Sequence, residues 1–193
     1  MEKNIIEKIK SLNPELRKKL LKNVADLADI LHEFTNKDQK TNTYNYTFFQ
    51  NVLEIEIEQA KRKNRKISIA ILDLDFFKKI NDTLGHIKAD KLLIRFAGVL
   101  KEQTRKSDVV ARFGGEEFLI LFTETSLDKA LKVMNRIRNA VKKDKFLSKN
   151  SLTFSSGLTE FRKKDSSEKI KKRADIALYE AKETGRDKIV VVR

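Results

Sequence analysis

The sequence predicts an α/β (α+β) sandwich in which helices flank a mixed central sheet, with a short N-terminal helical segment in front. Short runs of β-branched and apolar residues alternate with longer segments whose apolar residues recur at helical spacing. A Gly-Gly pair between two apolar runs predicts a β-hairpin, so at least two neighbouring strands must be antiparallel. The chain has 193 residues, of which 40% are hydrophobic, and this is enough to bury one core.

The N-terminal part of the chain is predicted to be helical over residues 4–35, with an interruption near Asn13-Pro14. Proline suits the first turn of a helix, where its missing N–H would have no partner in any case. A heptad-like stripe follows, formed by Leu20, Val24, Leu27, Leu31 and Phe34. Two heptads leave two roles open, a seam between two copies or a face that packs on the main domain. The polar residues 35–42 then predict a linker or turn.

The rest of the chain predicts a helix and then elements in the order β-α-β-β-α-β-α-β. The helix carries Phe48, Phe49, Val52, Leu53, Ile57 and Ala60 on one side. The run ISIAILDLD, residues 67–75, is apolar on both faces and predicts a buried central strand. The later helices are predicted over residues 87–104, 126–143 and 167–184, and the later strands in DVVARF, EFLILF, LTFSSGL and KIVVV.

The formal net charge of +14 predicts a surface that attracts polyanions. The lysines are scattered and do not alternate with aromatic residues, so we expect no nucleic-acid partner. No run of about 18 apolar residues is present, so we expect no membrane span. The sequence has no cysteine, and its start lacks the apolar core of a secretory signal. A cytoplasmic location is the prediction that fits these observations.

Two acidic residues, Asp73 and Asp75, stand at the C-terminal end of the predicted central strand. Side chains two apart on a strand point the same way, and closely spaced carboxylates repel each other unless they share a cation. Such oxygen ligands suit Mg²⁺ or Mn²⁺. For Asp75 a cap at the start of a short helix is an equally good interpretation.

A second acidic cluster, Glu116-Glu117, directly follows Gly114-Gly115 at the tip of the predicted hairpin. Glycine has no side chain, so a phosphate can approach the backbone closely there. If the hairpin lies beside the central strand, Asp73 and Glu116 converge, which suits metal-assisted attack at phosphorus. The simpler alternative is that the glycine pair only makes a turn.

Between the acidic clusters lie two residues that could read the edge of a guanine base. The carboxylate of Asp90 could accept from the ring N1–H and the exocyclic amine, with Asn81 beside it. Both residues are also common at helix ends, which is the alternative interpretation. His86, taken alone, is typical of a turn residue.

The stretch DLDFFKKINDTLGHIKAD, followed by RFGGEEF, resembles the GGDEF domain of diguanylate cyclases, here in a GGEEF form. TFSSG at 153–157 and RADIALYEAKETGRDKI at 173–189 are similar to that family's later strand and last helix. The resemblance covers residues 38–193 and leaves 1–37 as an N-terminal helical segment for dimerisation or packing. It implies a fold like the palm of nucleotidyl cyclases and polymerases.

The resemblance also implies roles for individual residues. It assigns Mg²⁺ or Mn²⁺ to Asp73, the Leu74 carbonyl, Glu116 and Glu117. The resemblance also assigns catalysis to Glu116, Asp73 and Lys78. Glu116 is the candidate base for the ribose 3′-hydroxyl. The implied substrate-binding residues are Asn81, His86, Asp90, Gly114, Gly115, Lys182 and Arg186. Arg105 and Asp108, five residues before the glycine pair, resemble the family's inhibitory product site, although a helix-end Arg before a strand-start Asp is an alternative.

The sequence departs from the family pattern in two places. The usual DxLTGLxNRR-like opening is polar here, since Lys40, Asn42 and Thr43 replace its apolar and glycine positions. This change could weaken nucleotide affinity, dimer geometry or local order. Ala89 replaces the usual glycine before Asp90, which matters only if that backbone has a positive φ.

The predicted function is condensation of two GTP molecules into cyclic di-GMP plus pyrophosphate. Each domain would bind one GTP, and a homodimer would bring the two half-sites together. Cyclic di-GMP is then also a possible inhibitor. Two alternatives are a catalytically weak or inactive domain that senses cyclic di-GMP or GTP, and an interaction protein whose helices recruit a partner.

Overall fold

The computed structural model describes residues 9–193, with side-chain surroundings for residues 9–27 and 35–193. The chain divides into two compact units, Met1–Lys37 and Asp38–Arg193. The first unit contains helix α1 (Pro14–Asn36), whose first turn starts with proline as predicted. Asn13 caps this helix, because its Oδ1 accepts a hydrogen bond of 2.8 Å from the Leu16 N–H. The predicted helical residues 4–8 lie outside the described part.

Two of the three stripe residues of α1 with described side chains, Val24 and Leu27, are 56% exposed, and the third, Leu20, is half-buried. Leu16 and Leu21, outside the stripe, are also exposed. The side chains of Leu31 and Phe34, the rest of the predicted stripe, lie outside the described side chains. In the described residues, no helix is both long enough and apolar enough to cross a bilayer.

The second unit is built on a six-stranded sheet with the strand order β1-β3-β4-β2-β5-β6. Its strands β1 and β3 are parallel, as are β5 and β6, while the other neighbours are antiparallel. The prediction of a mixed sheet is therefore confirmed. The strands are β1 (Tyr44–Asn45), β2 (Ser68–Leu74), β3 (Val109–Gly114), β4 (Glu117–Phe122), β5 (Phe154–Glu160) and β6 (Ile189–Val192).

The helices of this unit are α2 (Tyr46–Lys63), α3 (Phe77–Leu84), α4 (His86–Gln103), α5 (Leu127–Lys143), α6 (Lys145–Lys149) and α7 (Ser167–Glu183). The predicted long helices and the central strand are confirmed to within one or two residues. Strand β1 and helices α3 and α6 were not predicted as elements. All three elements are short. Helix α3 begins after Phe76, which has a left-handed backbone conformation and provides no side-chain cap.

The two faces of the sheet carry separate apolar cores. Ala70, Leu72 and Leu74 of β2 belong to a core that contains α4 and α5 residues such as Phe96 and Ile137. Ile69 belongs to the other core, whose members include Phe49 and Leu53 of α2 and Ile170 and Ala174 of α7. Because strand side chains alternate, Asp73 lies on the same face as Ile69, towards α2 and α7.

Helix α7 packs unusually close to strand β5 because of one glycine. A Cβ atom built on Gly157 would lie 1.9 Å from the Ala174 carbonyl oxygen and 2.4 Å from the Leu178 nitrogen. Both of these are backbone atoms, which cannot rotate away. The glycine therefore brings α7, and with it Lys182, close to the central strands.

Candidate active site

The candidate site begins with Asp73, near the end of the central strand β2. Asp73 is opposite Glu117 of β4 and Ser155 of β5. It is 9% exposed, and its Oδ2 lies 2.7 Å from the Lys182 Nζ in the last turn of α7. A mostly buried carboxylate needs such a partner, because burial of an unpaired charge is costly.

Glu117 shares this environment with Asp73. Burial raises the pKa of the Glu117 carboxyl, and the nearby Asp73 charge raises it further, with a smaller contribution from Glu116. The cationic Lys182 acts in the opposite direction. Closely spaced carboxylates of this kind favour a shared cation. Their oxygen atoms are donors that suit Mg²⁺ or Mn²⁺.

The fit of a metal to these residues rests on donor chemistry. Among the described residues, no three His, Asp or Glu side chains already form a cluster that could hold a metal ion. Asp73 and Glu117 are direct cross-strand partners. The Leu74 N–H donates to the Glu116 carbonyl at 3.4 Å, so the hairpin tip adjoins the end of β2. The predicted convergence of the two acidic clusters thus has a backbone basis.

The hairpin tip is held by Arg112. Its Nε and Nη2 donate to the Gly115 carbonyl at 3.0 and 2.6 Å, and its Nη1 donates to Asp38 Oδ1 at 3.2 Å. Gly115 has a φ of +52°, in the left-handed region, and the strand pairing shifts register between Arg112 and Gly114. One guanidinium group therefore ties the turn before the two glutamates to the start of the domain.

Side-chain hydrogen bonds link residues of the polar opening stretch, which spans residues 38–47. Asp38 accepts hydrogen bonds from the N–H and hydroxyl of Thr41 at 2.8 and 2.6 Å, and the Thr41 and Thr43 hydroxyls are 2.9 Å apart. Burial alone would raise the pKa of Asp38, but these bonds and Arg112 hold it below its usual value. Asn42 replaces the family's glycine at a φ of +52°, a conformation that asparagine tolerates. The polar opening stretch therefore contains a hydrogen-bonded turn at residues 38–43.

Asp75 does not have the helix-capping role considered from the sequence. Its carboxylate accepts from the Thr153 and Ser155 hydroxyls, both at 2.7 Å, and from the Asp187 N–H at 3.0 Å. It is 3% exposed and does not cap α3, which begins at Phe77. Asp75 instead fixes the loop after α7 against the end of β2.

The residues predicted to read guanine lie on two consecutive helices. Asn81 is half-buried in α3, and Asp90 is half-buried in the first part of α4. Gly85, with a φ of +77°, joins these helices, and the exposed His86 begins α4. Asp90 Oδ1 lies 2.7 Å from the Lys40 Nζ.

Ala89, at the position of the family's usual glycine, is buried within α4. It is not among the residues with a positive φ, so its methyl group causes no strain.

The residues predicted to bind phosphate surround the turn between β2 and α3. Lys78 is exposed in the first turn of α3, and Lys182 pairs with Asp73. The Arg186 guanidinium lies over the Phe76 ring, 4.6 Å from its centroid. Both Phe76 and Arg186 have a positive φ, of +56° and +59°. Strained backbone of this kind is often concentrated at functional sites.

The predicted product site lies at the other end of β3 from the glycine hairpin. Asp108 is 8% exposed, and its Oδ2 accepts from the Arg105 N–H at 3.0 Å. Its Oδ1 is the one buried side-chain oxygen or nitrogen without a hydrogen-bond partner in the described part of the chain. Burial raises the pKa of the Asp108 carboxyl. Arg105 is exposed beside it.

Sequence reasoning missed four contributors to this site. Asp38 was not a candidate site residue, and its pairing with Arg112 was not predicted. Thr153 and Ser155, which hold Asp75, were seen only as part of a strand. Lys40 was noticed only as a departure from the family pattern, and that departure was the available signal for its contact with Asp90.

Comparison with known proteins gives a consistent picture. Residues 35–188 match the family model described as "Diguanylate cyclase, GGDEF domain". Diguanylate cyclase DgcP of Pseudomonas aeruginosa is 42% identical over 142 residues, which cover 72% of this chain and 21% of that protein. Diguanylate cyclase A of Treponema denticola is 35% identical over 190 residues, covering 92% of this chain and 51% of that protein. The chain thus spans about half or less of the length of these relatives.

A solved structure of the coiled coil and GGDEF domain of DgcB from Caulobacter crescentus, in complex with c-di-GMP, has the same fold. The TM-score is 0.81 at 27% sequence identity, and the match covers 91% of this chain and 95% of that chain. This match also bears out the predicted sandwich of a mixed sheet and flanking helices.

Proposed function

Because this chain belongs to the GGDEF-domain family of diguanylate cyclases, we propose that it condenses two GTP molecules into cyclic di-GMP. Two pyrophosphates leave as the two new phosphodiester bonds form. The observation that carries this proposal is the pairing of Asp73 with Glu117 beside the Gly114-Gly115 hairpin. Carboxylates next to an open glycine turn suit the binding of a triphosphate with its metal.

Asp73, Glu116, Glu117 and the Leu74 carbonyl are the residues that would hold Mg²⁺ or Mn²⁺, although dependence on a metal is itself part of the proposal. When bound, the metal supplies charge neutralisation at the reacting phosphate. Glu116 takes the proton from the ribose 3′-hydroxyl. Lys182 is already beside Asp73 and is able to turn to a phosphate oxygen once another cation neutralises that carboxylate.

The remaining residues orient the nucleotide. Asn81 and Asp90 contact the guanine edge, and His86 lies near the nucleotide at the start of α4. Lys78 in the first turn of α3 and Arg186, which lies over the Phe76 ring, neutralise phosphate charge. Gly114 and Gly115 leave space for the phosphates, since a Cβ on either would meet nothing within 4 Å and the site is open there.

The reaction requires two copies of the domain, because one bound GTP cannot supply both reacting ends. We propose that a homodimer aligns each 3′-hydroxyl with the α-phosphate of the other GTP. The exposed apolar stripe of α1 supports a role in that assembly. A cytoplasmic location stays a prediction, as does the absence of nucleic-acid and membrane partners.

Cyclic di-GMP binding at Arg105 and Asp108 is the second proposed activity. The exposed Arg105 side chain lies beside the Asp108 carboxylate, and an arginine next to an aspartate supports recognition of a guanine base and its phosphate. The relative solved with c-di-GMP supports the ability of this fold to bind the product. If the chain were only a sensor, this site would bind the product while no synthesis occurred.

Incubation with GTP and Mg²⁺, followed by mass spectrometry of the nucleotides, tests the proposal. We expect cyclic di-GMP from the wild type and at least a 100-fold lower yield from Asp73→Ala and Glu116→Ala. Glu58→Ala is the matched control, because Glu58 forms only an exposed pair with Lys61 on α2. Binding of cyclic di-GMP without any synthesis would favour the sensor instead.

A further inference from the structure

Lys40, in the polar opening stretch, places its ammonium group beside Asp90, the residue proposed to contact guanine. Lys40 Nζ lies 2.7 Å from Asp90 Oδ1, and the two side chains are 43% and 41% exposed. The turn that carries Lys40 is anchored on both sides. Arg112 holds Asp38 at its start, and Lys101 of α4 donates to the Asn42 carbonyl at 3.2 Å. The Lys40 ammonium is therefore presented at the same edge of α4 as the Asp90 carboxylate.

We propose that Lys40 determines base specificity by donating a hydrogen bond to guanine O6 while Asp90 accepts from N1–H. This inference rests on the proposed function, since it needs GTP in the site. Guanine presents an O6 acceptor directly beside the N1–H donor, and the Lys40–Asp90 pair offers the complementary donor and acceptor. Adenine presents the reverse order, an amine beside an unprotonated N1, and would leave both protein groups mismatched.

The Lys40–Asp90 ion pair leaves hydrogen-bond donors and acceptors for the base. Lys40 contacts one carboxylate oxygen of Asp90, Oδ1. An ammonium group has three donors, and a carboxylate has about four lone-pair positions. Both side chains are exposed enough for a ligand to reach them, and an exposed pair of this kind contributes little to folding stability. The pair can therefore shift to accommodate guanine.

The opposite role for Lys40 makes a distinct prediction. If the ammonium only masked Asp90, then GTP would have to displace it, and removal of the charge would tighten binding. If Lys40 contacts O6, removal of the charge weakens binding of guanine and also abolishes the sensitivity to the atom at position 6.

Direct binding of two 3′-deoxy nucleotides, which lack the attacking hydroxyl, tests the inference without turnover. The ligands are 3′-deoxy-GTP and its 6-thio analogue, in which a weakly accepting sulfur replaces O6. For the wild type we expect about tenfold tighter binding of the oxygen ligand, and for Lys40→Met a ratio near one. Lys40→Arg keeps the preference. Lys61→Met is the matched control, because Lys61 also forms an exposed ion pair with a carboxylate, Glu58 of α2, and takes no part in the Lys40 turn.

The outcomes separate this inference from the proposed function. An unchanged ratio in Lys40→Met, or tighter binding of 3′-deoxy-GTP by that variant, overturns the role of Lys40 while GTP binding stands. If the wild type binds neither nucleotide, the proposed function itself fails.

Discussion

Arg112 connects distant parts of the candidate site through a single side chain. Its guanidinium group reaches the Gly115 carbonyl and the Asp38 carboxylate at once, and the side chain is only 13% exposed. The planar fork of arginine permits this geometry, whereas lysine offers a single point charge. The side chain therefore positions the hairpin without needing to touch the nucleotide.

We predict that Arg112→Lys lowers the free energy of unfolding by about 1.5–3 kcal/mol, the usual worth of hydrogen bonds to a charged group. Product formation should fall at least tenfold, because Glu116 and Glu117 follow the loosened turn. Urea unfolding and the product assay measure the two effects. Arg65→Lys is the control, since its pair with Glu124 is exposed and should change stability by less than about 0.5 kcal/mol. Equal behaviour of both variants would contradict the positioning role.

Asp108, a proposed product-binding residue, should reduce the stability of the fold at neutral pH. Its folded-state pKa lies above the ordinary 3.8 because of burial. The stabilisation linked to this group is thus fully present below the unfolded pKa and is lost as the pH rises through the folded pKa. At neutral pH the ionised carboxylate destabilises the fold.

We predict that Asp108→Asn is at least as stable as the wild type at pH 7 and loses its advantage at pH 3. The same substitution should weaken inhibition by cyclic di-GMP at least tenfold, because the carboxylate acceptor is gone. Urea unfolding at both pH values and product-inhibition curves provide the measurements. Inhibition that persists unchanged would remove Asp108 from the product site.

At the scale of elements, the active site depends on how closely α7 lies on the sheet. Gly157 permits this contact, and Lys182 is carried by the last turn of the same helix. A small displacement of α7 would therefore change both the core and the Asp73–Lys182 pair.

We predict that Gly157→Ala destabilises the domain by about 1–3 kcal/mol, because the added methyl group would overlap backbone atoms of α7. Gly98→Ala is the control. Its Cβ would come within 3.3 Å of only a movable arginine side chain, and alanine is favoured over glycine inside a helix. Thermal or urea unfolding should rank the control at or above the wild type. A Gly157→Ala variant of unchanged stability would mean that α7 can move without cost.

The sequence predicted those elements whose pattern is long and local. Strand β2 contains the continuous apolar run 69–72, and α5 keeps one apolar face over 17 residues. Strand β1, with two residues, has no periodicity of its own and exists because it pairs with β3. Elements of this length depend on tertiary contacts, so local patterns do not reveal them.

The same contrast between local sequence patterns and long-range contacts applies to the candidate site. The acidic clusters were predictable, because closely spaced acids are visible in the sequence at the end of an apolar strand and directly after a glycine pair. The contacts of Asp75 and Lys40 were not predictable. The partners of Asp75 lie 78, 80 and 112 residues away, and Asp90 lies 50 residues from Lys40. Such pairs leave no signal in local spacing.

At the scale of the whole molecule, activity should depend on assembly through α1. Val24 and Leu27 are exposed apolar residues on its stripe. Replacement of both by glutamate should lower product formed per mole at submicromolar protein at least tenfold, with recovery at high concentration, because repulsion would weaken the homodimer. Sedimentation at the same concentrations measures the assembly. Replacement of Lys18 and Lys22 by glutamate is the control. The role of α1 in assembly would be contradicted if the stripe variant, or deletion of residues 1–37, left activity per mole unchanged.

The stoichiometry of the reaction tests the proposed synthesis most directly. Wild-type protein, GTP and Mg²⁺ should yield one cyclic di-GMP and two pyrophosphates for every two GTP consumed, and Glu116→Gln should yield almost none. Release of inorganic phosphate without cyclic product, or undiminished synthesis by Glu116→Gln, would contradict the mechanism.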